Sequence, residues 1–386
     1  MTRVLIHMPT LSARGGAERY ALETAAVLRD AGHTVAVAVL GHPDLGELGR
    51  YFDLDLDGLD LVHLPDLDQL ERARPRRRAW QLRDALWARR LRAWRPEALI
   101  NAVYRSELRL QGVAHVVICH FPHARASKPE RPVARLRELM ASGTGAYPPP
   151  GALVIANSEF TQEHIRRRWG VEAHVVHPPC PLTDCESAPR GKTILSVGRF
   201  TAPEPHVPNK RFDVLIEAFA GLESLHERGW RLMLVGSAGD ADRAYVEGLR
   251  RRSRGLPVDI RVNVPFTELQ EAYGMAEMYW HAQGYGEDVD AHPEAHEHFG
   301  MTVVEAMSGG AVPVVIGTAG PAEIVGPVDE GLLWTTLEGL RGTTGAVAAL
   351  PPSSRDALRA RLRSRAEEFS RAAFRRRLLA ALAPVL

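Results

Sequence analysis

Residues 3–40 read RVLIHMPTLSARGGAERYALETAAVLRDAGHTVAVAVL. The segment opens with a short apolar run, 3–8, which reads as a buried strand. A glycine-containing loop, 11–16, follows. Residues 17–32 then carry apolar side chains at helical spacing and stop at Gly32, a helix-ending residue. Residues 33–40 are strand-like again. A strand, a helix and a second strand in that order form a βαβ unit, which builds a parallel sheet.

The same alternation runs outward along the chain. Strands are expected at 61–64, 97–103, 114–119, 152–157 and 173–177, with helices near 76–94, 129–141 and 158–169. Residues 142–151 are expected to be a loop, and so is 177–191, which holds four prolines. After it the pattern restarts. Strands are expected at 192–198, 231–236, 259–262, 277–282 and 311–317, with helices near 211–226, 240–251, 266–275 and 302–309 and a helical, Arg-rich stretch at 353–382. This predicts an α/β chain of two doubly wound, Rossmann-like parallel-sheet domains facing a cleft. The expected division is 1–180 and 191–369, joined by a linker at 181–190. Ligands of such sheets sit at the carboxyl ends of the strands, so the cleft is the expected site.

The chain has 386 residues, enough for two domains, and an ordinary balance of 45% hydrophobic and 25% charged residues. A net charge of +1 argues against a nucleic-acid partner. Three cysteines, Cys119, Cys180 and Cys185, argue against a disulfide framework and fit a reducing compartment. Neither a signal-peptide core nor a membrane-spanning apolar run is expected.

The most informative chemistry lies in EHFGMTVVEAMSGG, 297–310, where Glu297 and Glu305 are eight residues apart. Thr302 followed by Glu305 fits a capping box at a helix start, which would commit Glu305 to the backbone. The alternative is a ligand role. A helix N-terminus presents free N–H groups to an anion, and two carboxylates around that anion would accept hydrogen bonds from sugar or ribose hydroxyls. A nucleotide-sugar is such a ligand, with hydroxyls on both sides of a diphosphate. Glu297 otherwise reads as a solvated loop acid. Arg199, at the end of the strand 192–198, and Lys210, at the next helix start, would grip phosphate; both could equally be surface charges. His120 ends the strand 114–119 and is either a site residue or a structural hydrogen-bonder. Gly15 and Gly16 open the first helix after Arg14 and could approach a phosphate, or form a plain turn; they match neither GxGxxG nor a P-loop.

Other signals are set aside. DLDLDGLD, 53–60, reads as an edge strand with one wet face rather than a metal site. His292, His296 and His298 lack a second cluster at zinc spacing, so no metal is expected. In RRRAWQLRDALWARRLRAWRP, 76–96, Trp80, Trp87 and Trp94 recur every seven residues with Leu91 among eight arginines. Either the Trp stripe packs on the sheet or the segment presents a basic, Trp-edged face to anionic lipid.

Taken together, GGAER (15–19), ANSEFTQEHI (156–165), VHPPC (176–180), SVGRF (196–200), NKRFDVLIEAF (209–219) and EHFGMTVVEAMSGGAVPVV (297–315) resemble the retaining GT-B glycosyltransferases of the family 4 group. The pair ANSEFTQEHI and VHPPC is most similar to lipid-linked-oligosaccharide mannosyltransferases and also occurs in bacterial relatives. The resemblance implies a retaining, metal-independent hexosyltransferase that needs no cofactor and takes a nucleoside diphosphate sugar as donor. The acceptor would be a lipid-linked glycan, a polysaccharide or a small-molecule aglycone. Glu297 would bind the donor sugar near its anomeric carbon, with the backbone of Phe299, Gly300, Met301 and Thr302 against sugar hydroxyls and diphosphate. Glu305 would hold the ribose diol, and Arg199 and Lys210 would neutralise the leaving group. His120 would stand by the reacting sugar, and Gly16 on the phosphate side. Residues 370–386 would cross back onto the first domain. The expected location is cytoplasmic, with 76–96 as a candidate peripheral contact to the inner membrane face.

Three departures stand out: the long insertion TAPEPHVPN (201–209) before Lys210, the long loop 284–296, and Ala319-Gly320 where the family carries two glycines. Two other activities remain compatible with these residues: a GT-B nucleotide-sugar epimerase, and a non-catalytic nucleotide-sugar-binding protein.

Overall fold

The computed structural model describes residues 1–12, 15–66, 76–104, 106, 108–123, 147–182 and 190–386, with side chains of the helix beginning at Arg76 from residue 82 onward. The helix expected at 129–141, the first half of the 142–151 loop, Arg14, Cys185 and the Trp80 side chain lie outside the described residues. The chain divides into two compact units, 1–179 with 374–386, and 180–373.

The first unit carries a seven-stranded, all-parallel sheet in the order β3-β2-β1-β4-β5-β6-β7. Its strands are β1 Arg3–His7, β2 Thr34–Leu40, β3 Asp60–Leu64, β4 Ala98–Asn101, β5 Ala114–Cys119, β6 Leu153–Ala156 and β7 His174–Val175. Side chains alternate between faces. Val4, Ile6, Val35, Val37, Val39, Ile100 and Ile118 enter one core, while Leu5, Ala36, Ala38 and Leu99 enter another on the opposite face. Both faces are therefore dry, which is why these strands read as nearly unbroken apolar runs. Helix α1, Gly16–Asp30, covers the first face. A C-terminal helix, Arg371–Leu382, joins it there and inserts Phe374, Leu378 and Leu382 at one-turn intervals, with Phe374 edge-on to Tyr20 at 5.1 Å.

The other face is covered by the helix Arg76–Ala93. Trp87 and Leu91 are buried there, the Trp87 indole donates to Pro65 O (3.1 Å), and Arg3 lies over the half-buried Trp94 ring (4.3 Å). The described part of the Trp stripe thus packs inward, so these rings do not form a lipid-facing edge. No helix among the described residues is long and apolar enough to cross a membrane.

The edge strand expected at 53–60 is not formed. Asp53 takes a left-handed conformation (φ 54°), the Asp55 carboxylate accepts from Asp57 N (2.9 Å), and Arg29 ties down the Asp55 carbonyl. Aspartate side chains that bond the local backbone favour turns over strands. The buried Leu56 and Leu59 are anchors of a turn-rich segment that precedes β3.

The second unit is a six-stranded parallel sheet in the order β10-β9-β8-β11-β12-β13. Its strands are β8 Thr193–Val197, β9 Arg231–Gly236, β10 Val258–Val262, β11 Met278–His281, β12 Val312–Ile316 and β13 Leu333–Trp334. One continuous core covers it, with Trp280, Phe212, Phe219 and Leu232 fully buried. Each such side chain contributes about 1.5–3 kcal/mol relative to exposure. The Arg-rich tail is two helices, Pro352–Glu367 and Arg371–Leu382, rather than one.

Candidate functional site

In both sheets the strand order reverses direction beside the first strand of the unit, between β1 and β4 and between β8 and β11. Loops diverge at such a switch point, and ligands bind there. In the second unit, β8 ends at Val197 and is followed by Gly198-Arg199, and β11 ends at His281. The helix Met301–Ser308 begins next to them.

The helix starts at Met301, with Gly300 (φ 111°) as its N-cap. No side chain caps its first turn and no acid lies in it. The capping box that Thr302 and Glu305 could make is therefore not formed, because the helix is capped two residues earlier, at Gly300, and Thr302 falls inside it. Both side chains go elsewhere. The Tyr279 hydroxyl donates to Thr302 Oγ1 (2.8 Å), and the Tyr273 hydroxyl donates to Glu305 Oε2 (2.7 Å). Burial and then the Glu305 carboxylate push the Tyr273 hydroxyl well above its ordinary pKa, so it acts as a fixed donor. The first-turn amides, left without a side-chain partner, form the mouth that suits an anion.

Glu297 stands just before that mouth. Lys210 Nζ pairs with its Oε2, and His281 Nε2 lies 3.4 Å from the same oxygen. Burial alone would raise the Glu297 carboxyl, but the Lys210 charge and the His281 hydrogen bond outweigh it and hold it well below the usual carboxylate range. Glu297 is thus not a solvated loop acid. The anion is the form the fold prefers, so its stabilisation is complete above the unfolded value of about 4.3 and is lost as pH falls below it. The melting-temperature gap between the wild type and Glu297→Gln is expected to narrow steadily from about pH 5 to about pH 2. A gap that stays constant over that range would remove this ionisation from the fold's stability.

Arg199, Thr201, Pro208, Asn209, Lys210, Gln283, Glu297 and His298 line a cavity of about 260 Å³. Arg199 is exposed on it and makes no ion pair among the described residues. The 201–209 insertion closes one wall, with the Asn209 amide donating to Thr201 O and His206 Nδ1 bonded to Glu287 (2.9 Å). Lys210 keeps its place at the cavity despite the longer spacing. Phe299 is buried edge-on to Phe369, so only its backbone faces the motif, and Gly320 N donates to Glu297 O (3.0 Å). Of the two family glycines, only the second is sterically required. A Cβ on Gly320 would lie 2.2 Å from Phe299 O, whereas Ala319 occupies φ 55° at a cost of about 1–3 kcal/mol.

In the first unit, His120 follows β5 and packs edge-on to Tyr20 at 5.8 Å. Burial lowers its pKa to about 4, and its buried Nε2 has no partner among the described residues. Asn157 of the ANSEF stretch donates to His120 O (3.1 Å), and Ser158 caps the helix Glu159–Trp169 through Thr161 N (3.1 Å). Gly16 is the first residue of α1, after the Gly15 N-cap. His7, which sequence reasoning missed, ends β1 and bonds Asn101 at the end of β4 (3.1 Å).

Sequence reasoning also missed His281, Tyr279 and Tyr273, which support the motif from below. Tyr279 and His281 are two apart on one strand and so share a face. That spacing was a readable signal, although nothing in it says which face meets the motif. Gly198 and Gly236 were missed as well. A Cβ on Gly198 would lie 2.4 Å from Lys210 Cγ, and one on Gly236 would lie 1.6 Å from Gly198 O.

Two successive doubly wound units, the second with an uncapped helix mouth flanked by a Lys–Glu pair, define the GT-B architecture. Residues 14–183 match the Glycosyltransferase Family 4 model and residues 186–336 match Glycosyl transferases group 1. The chain belongs to these glycosyltransferase families. It is 27% identical over 253 residues to the GDP-Man:Man(3)GlcNAc(2)-PP-Dol alpha-1,2-mannosyltransferase of Xenopus laevis, a match covering 60% of this chain and 49% of that protein. The chain thus spans about half the length of the curated relatives it matches. Among solved structures, a glycosyltransferase from Rickettsia africae superposes with a TM-score of 0.71 at 16% identity, covering 100% of this chain and 98% of that one. WaaG, a glycosyltransferase involved in lipopolysaccharide biosynthesis, superposes at 0.62 with 15% identity, covering 99% of each chain.

Proposed function

We propose that the protein transfers mannose from GDP-mannose to a hydroxyl of a lipid-linked glycan, with retention of the anomeric configuration. The observation that carries this reading is the Lys210–Glu297 pair in the cavity that Arg199 also lines, beside the uncapped start of the helix Met301–Ser308. The donor and acceptor classes follow the printed name of the Xenopus relative.

Departure of the nucleotide builds negative charge on the diphosphate. Arg199 offers two parallel donors to it, Lys210 a point charge, and Met301 and Thr302 the free amides of the helix start. Glu297 accepts hydrogen bonds from sugar hydroxyls close to the anomeric carbon, where its negative charge opposes the positive charge developing there. Glu305, oriented by Tyr273, accepts the ribose diol. In the first unit, His120 serves the reacting sugar and Gly16 the phosphate side. The neutral state of His120 at pH 7 suits a hydrogen-bonding role toward a hydroxyl.

The test is GDP-[¹³C]mannose incubated with the protein and a polyprenyl- or dolichyl-diphosphate glycan. The expected result is an α-linked mannosyl product, read from the one-bond C–H coupling at the anomeric carbon. A β-linked product would overturn retention, and turnover with another nucleotide-sugar alone would overturn the donor. An epimer formed without acceptor would favour the epimerase, and donor binding without any turnover the binding protein. Because protein cations carry the leaving-group charge, we expect EDTA to change the rate by less than about twofold, against the several kcal/mol that an essential metal ion supplies. A loss of tenfold or more, restored by Mg²⁺ or Mn²⁺, would reverse this.

A further inference from the structure

Glu297 is held from two sides by unlike partners. Lys210 reaches it from the cavity, where on the reading above it also serves the donor's diphosphate. His281 reaches it from the interior. Its side chain is 1% exposed, and it ends β11, which pairs with β8 on one side and β12 on the other. His281 therefore cannot move away when a ligand arrives.

A buried imidazole needs a reason. Polar nitrogens taken from water cost free energy unless they are hydrogen-bonded, so an apolar residue would satisfy packing at least as well. His281 Nδ1 is buried and has no partner among the described residues. The hydrogen bond to Glu297 is what the side chain obtains in exchange. A carboxylate only accepts, so the proton belongs on Nε2 and Nδ1 carries a bare lone pair. Burial lowers the imidazole pKa below its ordinary value, which keeps the ring neutral and makes it a donor that adds no second positive charge beside Lys210. Its neighbour on the same strand face, Tyr279, holds Thr302 in the same way.

We propose that His281 is a positioning residue of the donor site, donating its Nε2 hydrogen to Glu297 so that the carboxylate keeps its orientation when Lys210 engages a diphosphate. The inference rests on the donor-site reading of the preceding section.

Two variants separate this role from simple packing. His281→Gln keeps an N–H donor near the Nε2 position, and His281→Leu fills the space without one. Glu297 is followed by ¹³C-carboxyl NMR, its resonance assigned by its absence in Glu297→Gln, and kcat and KM are measured with GDP-mannose. In His281→Leu we expect Glu297 to titrate about one pH unit higher. We also expect kcat to fall about 10–100-fold, the worth of a hydrogen bond to a charged group, with KM changed by less than about threefold. His281→Gln should recover most of both. Equal losses in the two variants would overturn the proposal, as would a Glu297 titration unmoved in His281→Leu. Should His281→Leu fail to fold, His281→Met serves the same comparison. If the wild type turns over no GDP-mannose, the donor reading fails, while the carboxyl titration still decides the role of His281.

Discussion

Lys210→Ala is expected to lower kcat/KM for GDP-mannose by about 10²–10³-fold, the usual effect of removing one preorganised donor to a developing anion. It should also abolish the thermal shift that GDP-mannose produces in the wild type. The variant loses two functions at once, because the same ammonium pairs with Glu297 and faces the cavity beside Arg199. Lys210→Arg should not rescue it. The lysine stem crosses the backbone at Gly198 so closely that a Cβ there would lie 2.4–2.9 Å from Lys210 Cγ, Cδ and Cε. A planar guanidinium at the end of that path needs different space and geometry. Steady-state kinetics of both variants provide the check, and rates within threefold of wild type would remove Lys210 from the reaction.

Gly236→Ala is expected to destabilise the second unit by about 3 kcal/mol, at the upper end of overpacking costs. The added Cβ would lie 1.6 Å from Gly198 O, a backbone atom in the adjacent strand ending, so relief requires β8 and β9 to separate. For a unit of this size that cost corresponds to a fall of about 6–12 °C in melting temperature. Calorimetry should show it in one of two transitions, since the units have separate cores. Gly198→Ala makes the instructive contrast. Its new methyl meets a lysine side chain rather than backbone, so it should cost activity, about as much as Lys210→Ala, and little stability. Equal stability losses in the two glycine variants would contradict this division of roles.

Most of the sheet architecture was legible because both faces of each strand are covered. Runs such as 114–119 and 231–236 are apolar apart from His115 and Arg231, and match β5 and β9 residue for residue. Reading failed where side chains bond the local backbone. Residues 53–60 alternate Asp and Leu as a half-wet strand would, yet Asp53 and Asp55 turn the chain. The short helix Leu45–Phe52, capped by Asp44 through Glu47 N, was missed, and so was Leu337–Ala349, whose glycines and threonines hide its periodicity. The 76–96 segment could be read either as a lipid-facing face or as core. A stripe of Trp87, Leu91 and Trp94 looks the same in both cases, and only the contact with β1 and Pro65 decides between them.

The candidate site divides in a similar way. Which charged residues would gather was legible in the chain: Arg199, Lys210 and Glu297 line one cavity, and Glu305 lies on the helix that starts beside it. How they are held was not. Thr302 and Glu305 satisfy a local capping pattern, and the structure discards it because a glycine at φ 111° caps the helix two residues earlier. The donors that replace the cap are Tyr273, Tyr279 and His281, which come from 16 to 32 residues away in sequence.

The sequence by itself determined two parallel α/β sheets and the cast of charged groups, because hydrophobic period and residue chemistry are local properties. The tertiary structure alone decided the ionisation and aim of Glu297, the groove at Gly198 that seats Lys210, and the inward turn of the Trp stripe. Each of those depends on which atoms from distant segments come within a few ångströms, and a one-dimensional pattern does not encode such distances.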